Sequence, residues 1–166
     1  MWDDGRVRFS YPSNWRVDVV RLPSRQIRQV VLADAADQGV LSIRTAEPGL
    51  ISSPRTEVEE IAFDVATATS AQAGMSAAVD GPTLPAESRT VFGAGAQGAT
   101  TALRLSAGGV ALPPWNVTAW SVVEGPEQRS ATVWVVWDDA TEHLDAPGVA
   151  LVLDTLSWSE PVNAHP

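Results

Sequence analysis

The chain has 166 residues, 45% apolar and 19% charged, with a mean hydropathy of −0.01, the profile of an ordinary globule rather than a disordered or membrane-embedded chain. Eleven basic residues against twenty acidic ones leave a net charge of −9, which repels phosphate backbones and acidic lipid surfaces and argues against nucleic acid as a partner. Cysteine is absent, which excludes disulfides, thiol nucleophiles and thiolate metal sites together.

From the N-terminus, Val7, Phe9 and Tyr11 alternate with Arg6, Arg8 and Ser10, the period of a half-buried strand, and Pro12 stops further pairing. Trp15, Val17 and Val19 resume the alternation, so a hairpin-like corner is expected across Pro12-Ser13-Asn14. Two more strands follow, Ile27 to Ala33 and Val40 to Thr45, separated by a turn-rich hexapeptide, 34–39. Thr56 with Glu59 gives a capping-box signature. Val58, Ile61, Ala62, Val65, Ala68 and Thr69 then make an apolar helical stripe, with Glu57, Glu60, Asp64 and Thr67 toward water and Gly74 as the stop.

Between Gly81 and Ala107 the prolines and glycines predict short strands, Thr100 to Ser106 being the clearest. Val117 to Glu124 and Arg129 to Asp138 form the best-marked hairpin, turned by residues 125–128. A second helix fits Asp145 to Leu156, with Asp145 as cap, Pro147 in the first turn and a stripe of Val149, Val152, Leu153 and Leu156. Hairpins without strict strand–helix alternation predict an α+β domain, an antiparallel sheet packed by two helices, spanning 1–160 with a flexible tail at 161–166.

Gly93-Ala94-Gly95-Ala96-Gln97-Gly98 spells the dinucleotide fingerprint, which works only between a buried strand and a helix N-terminus. The run before it is short and polar and the run after it alternates like a strand, so a loop or bulge is expected there instead. His143 with Asp138, Asp139, Glu142 and Asp145 clusters acids near one histidine but lacks a calcium-loop pattern, and reads as a solvated turn before the last helix. His165 falls in the tail, and no G-x-S-x-G elbow occurs. From these residues no catalytic group, metal ligand or cofactor is assigned.

Tryptophan is the excess, seven residues against a single tyrosine. Trp120, Trp134 and Trp137 fall on the predicted hairpin, and the odd offset of Trp134 and Trp137 sends them to opposite faces. Trp115, after Pro113-Pro114, is expected in a loop as an exposed anchor. All four are candidate partner- or ligand-binding residues, and the alternative is that they pack the core.

The opening Phe9-Ser10-Tyr11-Pro12-Ser13-Asn14-Trp15, the central Val40-Leu41-Ser42-Ile43 strand, the helix near 57–73 and the closing helix with Ser157-Trp158 resemble the Mog1/PsbP-like fold. Trp15-Arg16-Val17, Arg28 to Ala33, Val58 to Ala73 and Trp120-Ser121-Val122-Val123 are similar to the small domain of actinobacterial type VII secretion-associated proteins, and the layout also to LpqN-like lipoproteins. An abundance of Ala, Val and Gly, with arginine as the sole basic residue type, fits a GC-rich genome of that kind.

The resemblance implies a non-catalytic accessory domain at a secretion system or cell envelope, and it transfers no catalytic motif. A protein partner, or a second copy paired through a sheet edge, is expected. The alternative is a carrier of a small apolar ligand or lipid between sheet and helices. The chain shows no signal-peptide pattern and no apolar run of about 18 residues. A start so close to the first strand is also what removal of a preceding segment would leave.

Overall fold

The computed structural model describes residues 1–22, 27–34, 39–46, 53–124, 129–138 and 147–159. In chain order the elements are β1 (Trp2–Asp3), β2 (Val7–Phe9), β3 (Arg16–Leu22), β4 (Ile27–Ala33), β5 (Gly39–Ala46), α1 (Pro54–Ser70), β6 (Met75–Val91), β7 (Ala94–Ala107), β8 (Val110–Glu124), β9 (Arg129–Asp138), α2 (Pro147–Thr155) and β10 (Ser157–Trp158). A seven-stranded antiparallel sheet runs in the order β3-β4-β5-β9-β8-β7-β6, and a small sheet runs β1-β2-β10. This is the α+β class read from the sequence.

The large sheet carries a buried cluster on each face because its strands alternate two apolar sets. On one face Leu32, Ile43, Val133, Val135, Trp120 and Val122 join Val7 and Phe9 of β2 and Val149, Val152 and Leu153 of α2. On the other, Val117, Ala119, Leu103 and Trp134 meet Val58, Ile61, Ala62 and Ala66 of α1. One helix therefore packs on each side, α1 lying over β6, β7 and β8.

Several sequence expectations change. Pro12 to Trp15 is not a corner between paired strands: β2 joins the small sheet with β1 and β10, whereas β3 forms an edge of the large one. The segment expected as short strands is one long hairpin, β6 with β7, shifted in register between Asp80 and Leu84 and between Ala86 and Arg89. Pro82 and Pro85 are tolerated because β6 is the sheet edge, where a missing N–H breaks no ladder on the open side.

The helix cap is Ser53, whose Oγ accepts from the Thr56 N–H, so Thr56 is the third helical residue and not the cap, and Glu59 pairs with Arg55 at 3.1 Å. Glu57, expected toward water, is buried. The second helix begins at Pro147. The candidate cap Asp145, the acidic cluster at 139–145 with His143, the turn residues 35–38 and 125–128, and the tail with His165 lie outside the described residues.

Candidate functional site

Because α1 covers the β6–β8 half of its face and only grazes β9, the rest of that face is left open beside the helix. There an open cleft of about 280 Å³ forms. Its floor comes from alternate residues of three adjacent strands, Gln29 and Val31 of β4, Ser42 and Arg44 of β5, and Trp134 and Val136 of β9, which the register places side by side. Ile61, Asp64, Val65 and Ala68 of α1 form its wall.

One cation sits on this floor. Arg44 exposes only 7% of its side chain, and its guanidinium carbon lies over the Trp134 ring at 5.2 Å from the centroid. Its Nη1 faces Glu57 Oε2 at 3.7 Å, an ion-pair distance longer than a hydrogen bond, and its Nε is sealed in the interior with no hydrogen-bond partner. Glu57, 4% exposed, accepts from the Thr132 hydroxyl at 3.3 Å, and Thr132 in turn meets Ser121 Oγ at 3.1 Å. A charge so placed is tolerated because its counter-charge and the ring accompany it into the interior.

The four candidate tryptophans do not share a site, because the sheet separates them. Trp134 and Trp115 belong to the α1 side, Trp120 and Trp137 to the α2 side. Trp115 lies in β8, opposite Leu103, and not in a loop; it is half-buried against the α1 cluster. Trp120 is 1% exposed and donates from Nε1 to the Glu87 carbonyl at 2.9 Å. Trp137 donates to Thr118 Oγ1 at 3.0 Å. Trp134 and Trp137 do point to opposite faces, as their spacing requires.

The glycine cluster has a packing explanation. Phe92 and Gly93 form the two-residue turn of the β6–β7 hairpin, both with positive φ, 55° and 77°. Gly95 to Gly98 continue into β7, so the backbone never meets the helix N-terminus that a pyrophosphate site needs. At Gly98 a Cβ would lie 2.7 Å from Trp120 Nε1, so the third glycine makes room for that indole.

Arg44 was not among the sequence candidates. It sits in an alternating strand, where a charge reads as solvent-facing, and its partner Glu57 reads as part of the wet face of α1. Only a pairing between β5 and a helix more than ten residues away turns both inward, and no local pattern carries that signal.

Fold and cleft together define an α+β antiparallel-sheet domain with an open, mostly apolar cleft and an arginine on its floor. No family model matches the chain, and no curated protein matches it. Among solved structures it is similar to cyanobacterial PsbP (CyanoP) from Synechocystis sp. PCC 6803, at 14% identity and a TM-score of 0.49 over 94% of each chain. It is also similar to LpqN, involved in cell envelope biogenesis of Mycobacterium tuberculosis, at 12% identity and a TM-score of 0.35, covering 93% of this chain and 83% of that one. Among the described residues no helix is long and apolar enough to cross a membrane.

Proposed function

We propose that the chain is a non-catalytic binding domain whose working site is the cleft between α1 and strands β4, β5 and β9. The observation that carries this reading is Arg44, a buried cation held on the floor of an open apolar cleft. Such an arrangement orients an occupant: apolar walls supply affinity and a few fixed polar groups supply direction. Arg44, Glu57 and Thr132 are engaged with one another by charge and hydrogen bond, which positions a donor rather than relays a proton.

The sequence resemblance supports an accessory role beside a type VII secretion system or at the cell envelope of an actinobacterium, with a protein partner of that machinery. A type VII locus around the gene supports this placement, and an unrelated locus removes it. The second reading, a carrier of a small apolar ligand, is favoured by the position of the cleft between sheet and helix.

The site is tested with N-hexylacetamide, followed by backbone amide NMR. Saturable shifts at Ser42, Ile61, Val65 and Trp134, abolished by Ala68→Trp as a plug in the cleft wall, are expected. Shifts that survive the plug, or no saturable shift at all, overturn the assignment.

A further inference from the structure

We infer that the cleft beside α1 binds a small apolar molecule through one neutral carbonyl, whose oxygen accepts from the Arg44 guanidinium. This deepens the binding-domain reading and rests on it. Arg44 is nine-tenths buried, lines the cleft, and its one charged contact, Glu57, stands beyond hydrogen-bond distance. Of its nitrogens only Nε is both sealed and unpartnered, so the terminal nitrogens are the donors that can meet an occupant. A terminal nitrogen turned to the cleft is a charged donor, and a carbonyl oxygen that accepts from it makes a stronger bond than it would with a neutral donor.

The sign of the charges selects the acceptor. Arg44 contributes one positive charge, while Glu57 beside it and Asp64 on the wall contribute two negative ones, so the surroundings are net negative even before the chain's overall −9 is considered. A carboxylate would compete with Glu57 for the same guanidinium and be repelled by both acids. An amide, ester or ketone oxygen takes the donor without that repulsion.

Size and backbone narrow the class further. At about 280 Å³ the cleft lies at the lower edge of the usual range for small-molecule sites, which suits a compact occupant. The floor strands β4, β5 and β9 are each paired on both sides, so no free strand edge is available there to take up the N–H groups of an extended peptide. The occupant is therefore a small carbonyl compound with a short apolar chain.

Three probes of one length separate the possibilities: N-hexylacetamide, octanoate and the hydrocarbon nonane, each titrated against the intact chain by NMR. The amide is expected to bind at least ~10-fold tighter than either of the others, the discrimination of one hydrogen bond to a charged donor. Arg44→Met is expected to erase the amide's advantage over the hydrocarbon. Should that variant not fold, Glu57→Gln keeps Arg44 and Thr132's acceptor, and is expected to raise octanoate affinity about 10-fold while leaving the amide within about 2-fold. Equal binding of amide and hydrocarbon, a preference for octanoate, or an amide advantage that persists in Arg44→Met overturns the carbonyl assignment while leaving the cleft a binding site. Failure of all three probes, or binding untouched by Ala68→Trp, overturns the site itself.

Discussion

Arg44 and Glu57 enter the interior together, so removing either alone leaves the other charge stranded. Glu57→Ala is expected to cost about 3–5 kcal/mol in urea unfolding, the range for breaking a buried pair, and Glu57→Gln less by the Thr132 hydrogen bond its amide oxygen keeps, while Arg44 still loses its counter-charge. A cost below about 1 kcal/mol for Glu57→Ala would mean that water screens the pair. Gly98 makes a second point at this scale. Gly98→Ala forces a methyl onto Trp120 Nε1 and Cδ1, 2.7 and 2.9 Å from the new atom, and Trp120 is fixed by its bond to the Glu87 carbonyl. A loss of about 1–3 kcal/mol is expected from overpacking, and a shift within about 0.5 kcal/mol would show that the indole can move aside. The glycine motif was visible in the sequence, but its reason was not, since Trp120 meets Gly98 only through the β7–β8 register.

Among the elements, those legible in the sequence were the ones whose patterns are local. The alternation of β4, β5 and β9 and the i, i+3, i+4 stripe of α1 follow from single strands and turns and reappear in the structure. What could not be read was set by position in the sheet. Prolines that look like breakers are harmless at the β6 edge, and Pro113-Pro114 fall where the β7–β8 register shifts between Leu103 and Leu105, so β8 runs through them and carries Trp115 with it. The small sheet was likewise invisible, because β2 and β10 meet from opposite ends of the sequence.

That small sheet has a titratable tie. Asp3 Oδ1 accepts from the Ser159 hydroxyl at 2.6 Å and from the Gly5 N–H at 2.9 Å. The Ser159 hydroxyl first, then the Gly5 amide, hold the Asp3 carboxyl below its ordinary value of 3.8. A carboxylate depressed in the folded state stabilises above its unfolded pKa and loses that contribution as pH falls through the folded one. Thermal midpoints of the wild-type chain should therefore fall more steeply below about pH 4 than those of Ser159→Ala, with the two curves converging in acid. Curves that stay parallel from pH 6 down to pH 2.5 would show that the tie adds nothing to stability. Independently of pH, Ser53→Ala removes the acceptor that caps α1 and is expected to cost ~1 kcal/mol, read as a lower urea midpoint at unchanged slope.

At the scale of the molecule, one sheet serves two cores, and their independence can be measured. Leu153 of α2 packs in the cluster on one face, and Ile61 of α1 in the cluster on the other, with the strands of the large sheet between them. Leu153→Ala should cost about 2–5 kcal/mol and Ile61→Val about 0.5–1.5 kcal/mol, by lost burial and an unfilled void. Because the two side chains pack in separate clusters, the double variant should equal their sum within about 0.5 kcal/mol. Each should also lower the urea midpoint without changing the slope, because both layers lean on the same strands and neither can be exposed while the other stays folded. A broadened or two-step transition in either variant would show instead that α1 detaches from the sheet as a separate unit. In that case the cleft wall is the part that moves, and the affinity of any occupant would include the work of closing the helix over it.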